Sequence, residues 1–115
     1  MRNIPIPVDT AKLTFVCVAE ARPRVLNQET GEVKTDKSGN TVYEVPVSVT
    51  DESGRIELVR LGVAGEPSVS IGTQVRPVDL VGYVWEMNRN GTNRWGVSYR
   101  AASILPAAAD GGALA

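Results

Sequence analysis

A small all-β barrel is the fold class that this sequence predicts, and three observations carry the prediction. Runs rich in β-branched and aromatic residues recur along the chain, and polar Gly/Asn/Asp turn signals separate them. No stretch holds a 3.6-residue apolar period long enough for a useful amphipathic helix. At 115 residues the chain suits one domain with one core, and its 43% hydrophobic and 22% charged content is ordinary for a globular protein.

Taken in order, residues 1–11 are Pro-rich and irregular, which predicts an arm laid over the domain or left mobile. Leu13–Glu20 reads as the first strand, with Leu13, Phe15 and Cys17 on one face and Val16 and Val18 on the other. Both faces are therefore expected to be covered. Residues 21–41 are polar, with turn signals at Thr30-Gly31 and Ser38-Gly39-Asn40. Two short β-like fragments there, Arg24–Leu26 and Glu32–Lys34, are placed to pair as a hairpin arm. Val42–Thr50 alternates cleanly, with Tyr43, Val45, Val47 and Val49 on one side. Pro46 has no N–H to give a ladder and needs an edge or a bulge. After the tight turn Asp51–Gly54, Arg55–Val63 is apolar on both faces, which predicts a bulge or cover on both sides.

The hairpin that follows organises the rest. Val75–Glu86 and Arg94–Leu105 flank a polar tip whose Asn90-Gly91 pair suits a two-residue turn with positive φ at both centres. Alternation puts Val78, Leu80, Gly82 and Val84 on one face and Val81, Tyr83 and Trp85 on the other. Trp95 opens the return strand almost opposite Trp85. Gly65–Ser70 is too short for a helix, and the Ala/Gly-rich end has no core-forming pattern, so it is expected to be disordered.

Five strands, this order of connections and the Gly72-Thr73-Gln74-Val75 lead into the fourth favour a five-stranded Greek-key barrel of the OB type. The expected division is an arm over 1–11, the barrel domain over 12–106 and a flexible tail over 107–115. In such barrels ligands lie across strands 2 and 3, between the first-to-second and fourth-to-fifth loops. Those loops here are residues 21–41 and 87–93, where polar and cationic residues collect.

Composition narrows the chemistry. With no histidine and one cysteine, a zinc site or an intramolecular disulfide has no ligand set, and Cys17 reads as a small buried hydrophobe. No acidic pair sits in an apolar setting and no Gly-rich phosphate loop precedes a helix, so no enzyme, cofactor or metal is expected. Ile4-Pro5-Ile6-Pro7 interrupts any signal-like apolar run and nothing reaches the length of a membrane span, which predicts a soluble cytoplasmic protein. A formal charge of −1 counts against indiscriminate nucleic-acid binding, although local placement sets the field over a groove.

Aromatics are only 5% of the chain, so their position carries weight. Trp85, Trp95 and Tyr83 are the candidates for stacking on bases. Arg22, Arg24, Lys34, Arg60, Arg89 and Arg94 are the candidates for phosphates, because guanidinium groups pair with phosphate and also stack. Tyr43 is a weaker stacking candidate because its face is the apolar one, and Tyr99 reads as a core residue.

Val42–Thr50, Asp51–Gly54, Arg55–Val63, Ile71–Val75 and the terminal hairpin ending in Tyr99…Ile104-Leu105-Pro106 resemble the small OB-fold single-stranded-DNA-binding proteins of filamentous phages. They also resemble related short proteins of actinobacterial plasmids and integrative elements. The resemblance covers roughly residues 12–106. It implies a homodimer, sequence-independent binding of single-stranded DNA (or RNA), and a role in the replication or transfer of a mobile element. The alternative is a protein-interaction or assembly module on the same fold, since two-sided apolar strands and exposed tryptophans also build protein interfaces.

Overall fold

The computed structural model describes residues 4–27 and 29–107. Residues 1–3 of the expected arm and 108–115 of the expected tail lie outside the described residues. The strands are β1 (Ile6–Pro7), β2 (Thr14–Cys17), β3 (Arg22–Pro23), β4 (Val25–Asn27), β5 (Glu32–Val33), β6 (Val42–Thr50), β7 (Ile56–Ala64), β8 (Gln74–Val78), β9 (Val81–Arg89), β10 (Thr92–Ala101) and β11 (Ser103–Pro106). One 3-10 turn, Thr10–Lys12, joins β1 to β2. The molecule is all-β. A curled, half-barrel sheet runs in the order β1-β9-β10-β7-β6-β2-β8-β11, β3 adds to β6, and β4 and β5 form a separate two-stranded ribbon.

The core sits on the concave side. Period-two alternation turns Phe15 and Cys17 of β2, Val45 and Val47 of β6, and Leu61 and Val63 of β7 inward, where Val75, Leu80, Ala101 and Ile104 meet them. Tyr43, Val49 and Tyr99 pack against the same cluster. Pro46 stands within β6, a strand paired on both sides, but at the end of the β2 ladder, where its missing N–H costs only the reciprocal bond to Val18. Its carbonyl accepts from Val18, so its ring nitrogen faces the same side, in the gap between the β2 and β3 ladders. The N-terminal arm lies along β9: Ile6 and Pro7 pair with Gly82 and Val81, and the Val8 N–H donates to the Leu80 carbonyl at 3.0 Å.

Two expectations need correcting. The double-sided apolar pattern of β7 implied a bulge or a cover, but its register with β6 is unbroken. Ile56 and Leu58 are 65% and 77% exposed on the convex side. Val18 is likewise exposed, so the second face of β2 is covered only at Val16. The terminal hairpin is also not two straight strands. It creases at Asp79, which adopts φ 52°, and opposite it at Ala102, between β8 and β9 and between β10 and β11. Val78 pairs with Ser103 below the crease and Val81 with Arg100 above it, so register is kept while facing reverses. Below the crease Val75 and Pro77 are buried; above it Gly82 is. The crease lets β8 join β2 while β10 joins β7, and so curls the sheet.

The parallel β7–β10 contact is only three residues long, Leu61–Val63 with Tyr99–Ala101. Upstream of it the two strands part. This splay opens the convex face between β7 and the outer half of the hairpin.

At the β6–β7 turn the Asp51 carboxylate accepts from the Ser53 N–H, the Ser53 hydroxyl and the Arg55 N–H, each at 2.9 Å. The Arg55 N–H above all, then the Ser53 hydroxyl, hold its pKa below the ordinary carboxylate value of 3.8. The folded-state pKa is depressed, so this stabilisation is present above the unfolded value and is lost as pH falls through the folded one. Urea unfolding across about pH 2–6 should show an acid-side loss of stability that is smaller in Asp51→Ala. An unchanged pH profile in that variant would mean the turn contributes nothing.

Candidate functional site

The outer half of the terminal hairpin sets the geometry. The two-residue turn forms as expected, with Asn90 at φ 52° and Gly91 at φ 78°, and it pairs Arg89 with Thr92. From there Met87 faces Arg94, Trp85 faces Gly96, Tyr83 faces Ser98 and Val81 faces Arg100. Directly paired residues share a side of a sheet. Tyr83, Trp85, Met87, Arg89, Arg94 and Arg100 therefore form one row on the convex side, while Gly82, Trp95, Tyr99 and Ala101 belong to the other side.

Arg24, Lys34, Tyr83, Trp85, Met87, Ser98 and Arg100, with Glu86, line one open hollow of about 760 Å³. Arg24, Ser98 and Arg100 also line the adjoining hollow of about 470 Å³, together with Glu44, Leu58, Arg60 and Gly62. Together they make a continuous groove over the splay. The β4–β5 arm supplies Arg24 and Lys34: the Arg24 N–H donates to the Val42 carbonyl, and the Val42 N–H donates to the Lys34 carbonyl, both at 2.8 Å. Four cations meet one carboxylate, Glu44, along this groove, since Glu86 pairs with Trp95 on the other side of the hairpin, although the chain as a whole carries −1. Partial burial, then the charges of Arg100 and Arg24, lower the Lys34 pKa from its ordinary value of 10.5, and Glu44 opposes that shift. A lysine so placed gains from a nearby anion.

The aromatic groups are held differently. The guanidinium carbon of Arg100 lies 5.9 Å from the Tyr83 ring centroid, a cation–π contact that covers Tyr83 on that side. Trp85, 41% exposed, faces the groove and lies over Gly96.

Of the residues singled out from sequence, Arg24, Lys34, Tyr83 and Trp85 meet in one hollow and Arg60 lines the next. Arg89 and Arg94 continue the same row toward the tip. Arg22 pairs opposite Glu44 but does not line the groove. Trp95 departs from expectation: its cross-strand partner is Glu86, not Trp85, and it stands 72% exposed on the opposite side of the hairpin. Sequence reasoning missed Arg100, which with Arg24 lines both hollows. A two-residue turn at Asn90-Gly91 already fixes both facts, because it pairs residue 95 with 86 and 100 with 81.

A separate hollow of about 360 Å³ opens into the barrel end, lined by Val8, Leu13, Phe15, Val49, Leu80 and Tyr99 among others. Its one cation, Arg55, lies 3.7 Å from Asp51, and its walls are the core itself. No helix among the described residues is long and apolar enough to cross a membrane. Compared with protein-family models and with curated proteins, the chain matches none.

Proposed function

We propose that the protein is a non-enzymatic, largely sequence-independent binder of single-stranded DNA, and that the convex groove is where the strand runs. The observation that carries this reading is the convergence of Arg24, Lys34, Arg60 and Arg100 with Tyr83 and Trp85 in one groove of a slightly acidic chain. Cations follow phosphates whatever the sequence, and every base offers a π face to an aromatic ring. Leu58 and Met87 add apolar wall where bases, not phosphates, would lie.

The pairing pattern supports the finer fold reading as well. If Gln74–Arg89 and Thr92–Pro106 are each taken as one creased strand, the ladders run first–second–third–fifth–fourth and return to the first. The third and fifth strands are parallel, and this order is compatible with the proposed five-stranded OB-type barrel. The arm and the hairpin tip then correspond to the two loops that flank the ligand in that fold. The resemblance noted from sequence adds service in replication or transfer of a mobile element, and a homodimer.

Fluorescence anisotropy with labelled oligo-dT tests the reading. Binding should weaken with salt along a log–log slope of about −2 to −3, the value expected for roughly four phosphate contacts on a single strand. Absence of binding even at low ionic strength would end the proposal.

A second reading rests on Trp95, which is exposed away from both the core and the groove. Trp95 stands on the wrong side of the hairpin for the groove, so an assembly surface accounts for it better than strand contact does. Sedimentation of the wild-type chain and of Trp95→Ala separates the two roles. Loss of self-association with intact oligo-dT binding assigns Trp95 to assembly.

A further inference from the structure

The outer hairpin holds two glycines, one on each side. On the concave side Gly82 pairs with Tyr99, and a Cβ built on Gly82 would lie 3.0 Å from Cγ1 of Val97, with Cε1 of Tyr99 at an ordinary 3.4 Å. On the convex side Trp85 faces Gly96, and a Cβ there would lie 2.6, 2.8 and 3.0 Å from Cζ2, Cε2 and Nε1 of Trp85. Glycine within a strand weakens it and marks a close approach, so each needs a reason. For Gly82 the reason is the Val97 side chain packed close against it. The convex side has no core at Trp85, and the pair borders an open hollow.

The three short distances also fix how the indole lies. All three atoms belong to one edge of the indole, and their distances place the Cβ point off the ring plane beside that Nε1–Cε2–Cζ2 edge. The indole thus leans on β10 through this edge of one face, and Trp85 lines the hollow that Arg24, Lys34 and Arg100 share. Tyr83 cannot offer the same surface, because Arg100 already lies over its ring.

We propose that Gly96 is the positioning residue of the groove: its missing side chain seats the Trp85 indole against β10, and this presents the face turned away from β10 to a nucleobase beside the phosphate-binding cations. The proposal rests on the strand-binding reading and adds the residue that orients the platform. Any side chain at position 96 must lift the indole, since even a methyl group would sit well inside contact distance of the ring. Gly96 itself touches no base. Its effect passes entirely through Trp85.

The test is a double-mutant cycle on oligo-dT affinity, with the salt slope as the second readout, using Gly96→Ala, Trp85→Ala and the double variant in the full chain. Gly96→Ala should weaken binding about 5–20-fold, part of the loss of one stacked base. Its salt slope should match wild type, because no phosphate contact is removed. In the Trp85→Ala background the same change should alter affinity less than about 2-fold, as the two residues act as one unit. Equal losses from Gly96→Ala in both backgrounds, or no loss in either, overturn the inference while leaving strand binding intact. Failure of the wild-type chain to bind overturns strand binding and this inference with it. If Gly96→Ala alone fails to fold, the double variant should recover the fold because the indole is gone. A double variant that is equally unfolded also overturns the seat.

Discussion

Leu61→Ala is expected to cost about 2–5 kcal/mol of folding stability, the range for emptying a fully buried leucine site. Leu61 is 0% exposed at the centre of β7, where that strand pairs with both β6 and β10. Neighbours on three strands would have to collapse to fill the space, and the parallel β7–β10 contact that holds the hairpin to the barrel spans only three residues. For a domain of this size the melting temperature should fall by roughly 10 °C or more. Leu58, three positions earlier on the same strand, is the internal control. It is 77% exposed, and its replacement by alanine should change stability by less than about 0.5 kcal/mol. Urea unfolding followed by circular dichroism gives both values. Similar losses at the two positions would contradict the assigned facing of β7.

Trp85→Ala should reduce oligo-dT affinity about 5–150-fold, the equivalent of one stacked base at roughly 1–3 kcal/mol. The loss should appear at every salt concentration, leaving the log–log slope as in wild type. Arg100→Ala should behave in the opposite sense, lowering the slope by about 0.7, the share of one phosphate contact. These two residues flank the same hollow, so the pair of variants separates stacking from charge within one site. A Trp85→Ala protein that binds as wild type would remove the indole from the interface. A lower slope in that variant would mean that its effect is a displaced cation.

The sequence made much of this legible. Strand positions follow the alternation of Tyr43–Val49 and the β-branched runs. The arm follows its own turn residues, and the tip follows Asn90-Gly91, because these signals are local. The facing of Trp95 and the place of Arg100 were also legible, through the register that a two-residue turn imposes, but only by counting pairs and not by proximity along the chain. The exposure of Leu58 and Ile56 was not. An apolar residue on an uncovered strand face looks the same in sequence as one beneath a neighbouring element, and only the splay of β10 from β7 leaves these two bare. The crease was hidden for another reason. Asp79 and Leu80 continue an apparently regular alternation, and nothing in their identities announces that the inward side changes from odd to even positions.

That change of parity restricts how the chain can vary in length. Removing one residue from Asp79-Leu80 alone would break the match with Ala101-Ala102 and turn Gln74, Arg76 and Val78 toward the barrel interior, with Val75 and Pro77 outside. Only a compensating loss on the opposite strand would restore both halves. Homologous chains can therefore be expected to differ in length at turns such as Asp36–Asn40, and to keep a fixed residue count from Gln74 through the tip to Pro106 or change it in matched pairs.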